Sequence, residues 1–229
     1  MQKLLPIGDL FKKSFELYKP RIWTMLWLGV ISWISSIVIF AVFGIAGFTT
    51  FALGRNILTF NLFSLLLFLI GVLLVVIINV WIQVAMIYAV KEEHATSSMK
   101  NLLLAVRGKM ASYYWIVFLR GLASVVGFIL FIIPGIIFSV WFCLSQYAFV
   151  FEDKKGSGAL GRSRQLIKGY WWPVLGRLLI LMVIAVLISS ISKIGFLINS
   201  LFTVPFGIVY LYVIYEDLKQ IKGALLPVV

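Results

Sequence analysis

Six long apolar runs, separated by short polar stretches, dominate the chain, over residues 22–43, 62–90, 113–133, 136–151, 174–192 and 195–215. A segment needs roughly 20 apolar residues to cross a hydrocarbon core, and open backbone is not tolerated against lipid. Each run therefore predicts a transmembrane helix, the fourth being the shortest. Two breaks are tight, Pro134-Gly135 and Lys193-Ile194-Gly195, and predict the turns of helical hairpins. Residues 44–61, between the first two runs, are compatible with a loop, a re-entrant piece or a helical extension.

Ahead of the runs the pattern changes to apolar positions at helical three-and-four spacing. Ile7, Leu10, Phe11, Phe15 and Tyr18 make one stripe, with Lys12, Lys13, Glu16 and Lys19 off it and Trp23 following. Met99, Leu102, Leu103, Val106 and Met110 make a second, beside Lys100, Arg107 and Lys109, and Trp115 follows. Leu160, Ser163, Ile167 and Trp171 make a weaker third beside Arg162, Arg164 and Lys168, and Trp172 follows. Such segments are expected to lie in the membrane interface, cations among the phosphates, with Trp23, Trp115, Trp171 and Trp172 as anchors at headgroup depth. Each leads into two runs that end on adjacent acids: Glu92-Glu93, Glu152-Asp153 and Glu216-Asp217. Tyr88, Tyr147 and Tyr212 stand four or five residues earlier. The expected fold is thus an all-α membrane protein, a single integral membrane domain over residues 1–229. Its six transmembrane helices form three hairpin repeats (1–93, 97–153 and 157–217), each preceded by an amphipathic interfacial helix. Duplication of a stable hairpin accounts for the symmetry without a shared site.

Composition agrees. Of 229 residues, 62% are hydrophobic and only 12% charged, more apolar surface than a soluble domain of this size can hide. The net charge of +12 is placed unevenly. Lys3, Lys12, Lys13, Lys19 and Arg21 precede the first run; Lys91, Lys100, Arg107 and Lys109 follow the second. Lys154, Lys155, Arg162, Arg164 and Lys168 follow the fourth, and Lys219 and Lys222 the last. The opposite side offers Arg55 and Lys193. The positive-inside rule then puts both termini in the cytoplasm, the chain crossing the cell (inner or plasma) membrane several times. All eight acids share the basic side, which carries little weight in that rule. About twenty mixed-charge residues precede a run long enough to span, so no cleavable signal peptide is expected. Basic residues gathered at the ends of spans point to anionic membrane lipids as partners and away from nucleic acid.

Candidate chemistry is sparse. His94 is the single histidine, in a polar loop, and Cys143 the single cysteine, expected to be a small buried hydrophobe. No ligand-spaced metal cluster, nucleophile–base pair or phosphate-binding glycine loop is present in the sequence, so neither catalysis, metal nor cofactor is expected. Arg120 and Arg177 stand inside runs, each five residues after a tryptophan, Trp115 and Trp172, where the first copy has Leu28. Five helical residues span about 7.5 Å, a depth from which arginine snorkels to the headgroups. The sharper alternative is an ion pair with a neighbouring acidic pair, or a lipid phosphate held bidentately. Candidate headgroup ligands are therefore Arg120 and Arg177, with Lys12, Lys13, Arg162, Arg164 and Lys168 from the interfacial segments. Asn79, Gln83, Gln146, Asn199, Ser189, Ser190 and Ser192 lie within runs, where such groups hold helices together at about 0.6–2 kcal/mol each. Gly29, Gly44, Gly47, Gly121 and Gly127 are expected where helices pack closely.

One motif is more specific. It runs Pro134-Gly135, a span, Glu152-Asp153, a small-residue stretch, then Ala159-Leu160, Arg162-Ser163, Leu166, Lys168-Gly169 and Trp171-Trp172. This resembles the membrane domain family associated with glycerophosphoryl diester phosphodiesterases, and related uncharacterised bacterial multi-span families. The resemblance covers about forty residues and implies a membrane architecture in a bacterial envelope. The family's soluble phosphodiesterase domain works through histidines and metal-binding acids. No stretch here is long enough to hold such a domain, so the resemblance transfers no activity.

The first expectation is a non-enzymatic inner-membrane protein concerned with lipid or envelope homeostasis through headgroup binding. The alternative is a transporter or permease-like subunit for a small molecule or lipid, which repeated spans interrupted at Pro134, Pro205 and Gly207 would suit. A polar cavity at mid-membrane near Asn79, Gln83 or Asn199 would favour the alternative, and a dry interior the first. An intramembrane enzyme would require Glu152, Asp153, Arg162 and His94 to converge on one pocket.

Overall fold

Every apolar run folds as helix, because inside lipid only intrahelical bonds satisfy the backbone. A computed structural model describes residues 4–53, 57–91, 99–191 and 195–224. In chain order the helices are α1 (Ile7–Tyr18), α2 (Ile22–Leu53), α3 (Ile57–Ala89), α4 (Met99–Val106), α5 (Met110–Leu130) and α6 (Ile132–Trp141). There follow α7 (Ser145–Glu152), α8 (Ser157–Ile167), α9 (Trp171–Ile191), α10 (Gly195–Ile198) and α11 (Val204–Ala224). A π-helical stretch, Asn199–Thr203, joins the last two. No strand occurs among the described residues. Six stretches are long and apolar enough to cross a membrane: Ile7–Ile45, Ser64–Ala89, Lys100–Leu130, Ile132–Glu152, Trp171–Ser190 and Asn199–Gly223.

α2 packs along α3, and α5 along α6. Burial is concentrated at one end of these pairs, where the basic residues gather. There Met25, Leu28, Ile87, Leu102, Ile116, Tyr147, Phe149, Tyr210 and Tyr215 are shielded almost completely. The same helices turn bare further along: Ile34 to Phe40 in α2, Leu65 to Ile77 in α3, Leu179 to Leu187 in α9. Apolar side chains this exposed, Ile129 at 78% among them, need lipid as their solvent. At the basic end α1 lies against α11, with the Phe11 ring 5.0 Å from Tyr210 and the Tyr18 ring 5.8 Å from Phe206. Arg21, buried beside the end of α3, donates from Nε to the Ala89 carbonyl at 2.8 Å and from Nη1 to Leu17 O at 2.8 Å. A cation on the carbonyls of a last turn satisfies groups that have no partner within the helix.

Several boundaries differ from the sequence reading. Of the three alternatives left open for residues 44–61, the described part is a helical extension, α2 running through Leu53 and α3 starting at Ile57. With 32 residues α2 reaches about 48 Å, longer than a hydrocarbon core of about 30 Å. The turn expected at Pro134-Gly135 lies earlier, at the extended Phe131, and Pro134 sits in the first turn of α6. Proline lacks an N–H that the first turn leaves unbonded anyway, so it starts a helix as readily as it ends one. The fourth run is not one helix: it breaks after Trp141 and resumes at Ser145. The third interfacial stripe also shifts, since α8 turns Ala159, Ser163, Leu166 and Ile167 inward while Trp171 opens α9. The turn at residues 193–195, the acidic pair Glu92-Glu93, and His94, Arg55, Lys193 and Ser192 lie wholly or partly outside the described residues.

Of the glycines expected at close contacts, Gly127 fits best: a Cβ there would stand 2.9 Å from Gly135 Cα and 2.8 Å from the Phe138 ring. Gly29 meets Leu201 Cδ2 at 3.3 Å, whereas Gly44 and Gly121 face open space and Gly47 has no described side-chain surroundings. Gly127→Ala should therefore wedge α5 from α6 and destabilise by about 1–3 kcal/mol. Gly121→Ala should leave the unfolding temperature in mild detergent unchanged or slightly raised, and the pair of variants checks the contact.

Candidate functional site

The break between α6 and α7 leaves backbone groups without helical partners, and α8 supplies them. Ser163 Oγ donates to the Trp141 carbonyl at 2.6 Å and accepts the Leu144 N–H at 3.1 Å, with no exposure of its own. One residue earlier, Arg162 grips Glu152 with two parallel bonds, Nε–Oε2 at 2.7 Å and Nη2–Oε1 at 3.1 Å. Tyr215 adds its hydroxyl to Glu152 Oε1 at 2.8 Å. The motif residues thus assemble a joint: α7, α8 and α11 meet at one carboxylate. Asp153 ends α7 in a left-handed conformation and pairs with Lys109 at 2.8 Å in the open. That hydrogen bond, with the charge of the ammonium, holds the Asp153 carboxyl below its ordinary value. Gly169, at φ +90°, makes the turn between α8 and α9 that residues with a Cβ rarely adopt. Ala159 is fully buried, Leu160 half-buried.

Between α6 and α9 runs a groove of about 600 Å³. Ile133, Ile136, Ile137 and Leu175 make its apolar walls; Trp171, Trp172 and Lys168 stand at the basic end. Lys168 is the one charged residue among those lining it. Arg164 does not line the groove but lies 4.5 Å over the ring of Trp141, which does, and its side chain makes no hydrogen bond among the described residues. Trp171 and Trp172 pack edge to face, and the Trp171 indole N–H is buried without a partner among the described residues.

The other nominated cations fare differently. Arg177 is buried and committed to backbone: Nη2 donates to Leu5 O at 2.6 Å and Nη1 to Pro173 O at 3.0 Å. Leu5 N–H in turn donates to Asp217 Oδ2 at 2.9 Å, so the N-terminal segment is strapped between α9 and α11. Neither snorkelling nor a direct acid pair describes this arginine. Arg120 is half-buried within electrostatic reach of Tyr113, Cys143 and Tyr147, and makes no hydrogen bond or ion pair among the described residues. Lys13 approaches Glu216 at 3.7 Å, a loose surface pair, and Lys12 is exposed. Trp23, Trp115 and Trp172 are exposed, as interfacial anchors require.

A second cavity, of about 330 Å³, lies between α2, α3 and α11. Ser32 donates to Asn79 Oδ1, and Asn79 Nδ2 donates to Ser36 Oγ at 3.0 Å. Trp33 Nε1 donates to Ser200 Oγ at 2.8 Å. Ser32 and Ser36, like Asn79 and Gln83, are spaced by four and share a helix face; that spacing was readable, but their convergence was not. Ser163, Arg21 and Tyr215 likewise carried no sequence signal of their partners.

Together these features define a chain whose described residues are helical and without strand, with six helices long and apolar enough to cross a membrane. No protein-family model, no curated protein and no solved structure matches it.

Proposed function

We propose that the chain is a non-enzymatic multi-pass protein of a bacterial inner membrane, with both ends in the cytoplasm, that holds anionic phospholipid of the cytoplasmic leaflet and serves lipid or envelope homeostasis. The α6–α9 groove carries this reading: an acyl-sized apolar trough ending on Lys168, with Arg164 beside it and tryptophans at its mouth. A phospholipid has that polarity, apolar along its tails and anionic at one end. The basic end supports the orientation, in a setting where three hairpin repeats each follow a cationic interfacial helix. Each cation near an anionic surface contributes about 1 kcal/mol. Removing both in Lys168→Gln, Arg164→Gln should then weaken retention of phosphatidylglycerol by roughly 30-fold, read by native mass spectrometry from mild detergent. Equal retention by wild type and variant would sink the reading. A permease-like role is the second reading, favoured by the mid-depth polar cavity.

A further inference from the structure

We infer that the cavity between α2, α3 and α11 is a binding site for a small uncharged solute bearing both a hydrogen-bond donor and an acceptor, an amide or a polyol. It shares no lining residue with the groove. Ser32 stands ten residues from the start of α2 and Asn79 ten from the end of α3. At 1.5 Å per residue both lie about 15 Å deep, half of a 30 Å core. There a polar group without a partner is costly, and most of those present are paired with one another.

Gln83 is not. It lines the cavity, and its side chain makes no hydrogen bond among the described residues. Asn199, the residue before Ser200 in the chain, does not line the cavity, but its Oδ1 is also buried without a donor among the described residues. An amide offers two N–H groups and an acceptor oxygen, so the occupant that completes it must accept and donate. None of the described residues lining the cavity is charged, so a charged occupant would stay uncompensated and a neutral one is selected. The space equals on the order of ten waters at about 30 Å³ each, room for a small solute.

The wall itself is built for this. Val204 N–H reaches back five residues to the Asn199 carbonyl. Pro205 brings no N–H and its ring crowds the preceding turn, so the helix widens to the π form just where Ser200 faces α2. Gly29 lines the cavity, and a Cβ there would stand 3.3 Å from Leu201 Cδ2, so the glycine permits that close approach.

The inference deepens the permease reading but needs only that the same cavity be occupied. The test therefore reads binding and not flux. A Cys143→Ser background removes the single native thiol. Val80→Cys places a reporter on the cavity wall and Leu73→Cys, 58% exposed, one on the lipid face; Ile208→Cys is a second wall reporter in case the first misfolds. In proteoliposomes a water-soluble thiosulfonate should modify the wall cysteines and not residue 73. Acetamide, urea or glycerol at about twice its Kd should slow wall modification about threefold, and Gln83→Leu should abolish the slowing. Wall cysteines as inert as residue 73 would overturn the site as dry. Modification that none of the three solutes slows would overturn it as a water pocket only. Absence of solute flux alongside clear protection would remove the permease reading and leave the site standing.

Discussion

Glu152→Ala should lower the unfolding temperature in mild detergent by roughly 10 °C. The Glu152 side chain is 12% exposed and that of Arg162 24%, and the carboxylate takes three bonds from two helices. Removing it leaves a mostly buried guanidinium without its counter-charge and the Tyr215 hydroxyl without its acceptor. Breaking one side of such a pair costs about 3–5 kcal/mol. A chain of this size loses about 2–4 °C per kcal/mol. Removing both charged partners in Glu152→Ala, Arg162→Ala should cost less than the two single changes summed, because the second removes the orphan that the first creates. Lys109→Ala is the comparison: its pair with Asp153 has side chains 44% and 69% exposed, and its loss should shift the midpoint little. A Glu152→Ala midpoint within about a degree of wild type would mean that α7, α8 and α11 are held by packing alone.

Ser163→Ala should be the next largest effect for a change of one atom. The hydroxyl is fully buried and serves two backbone groups of the broken helix at once. Without it the Trp141 carbonyl and the Leu144 N–H lose a partner that no water replaces, at about 1–3 kcal/mol each before relaxation. We expect a loss of about 2–3 kcal/mol and faster hydrogen exchange at the Leu144 amide. Ser190→Ala, which removes only an exposed bond to Val186 O in its own helix, should be close to silent. Exchange at Leu144 equal in both variants would contradict the clip.

The contrast between these serines shows what the sequence made legible. Length and hydropathy located the membrane-crossing helices, because a bilayer sets a length that few other folds require. They did not show the broken fourth helix, since Trp141 to Ser145 is as apolar as a continuous span would be, and the reason for the break lies some twenty residues away at Ser163. Pro134 misled for a related reason: its ring is compatible with the end or the start of a helix, and only the Gly127–Gly135 contact shows which. The sequence reading placed most basic residues on one side. Which of them stay free was not legible, because Arg162 and Arg177 are satisfied by partners 10 and 172 residues away. Arg177 replaced by leucine would thus report on the N-terminal strap and not on lipid. Under the proposed reading Lys168 and Arg164 would be the cations that meet the headgroup, since no acid is among the residues lining the groove.

The lipid groove is tested most directly by photo-crosslinking in nanodiscs with phosphatidylglycerol carrying a photoactivatable acyl chain, followed by mapping of the labelled residues. Occupancy of the groove predicts labels concentrated on Ile133, Ile137, Trp141 and Leu175, and lost from them in Lys168→Gln, Arg164→Gln. Leu65, Phe68 and Leu73 of α3, exposed at 52%, 52% and 58%, report the surrounding bulk lipid. Labels spread evenly over both faces, and unmoved by the double substitution, would contradict it.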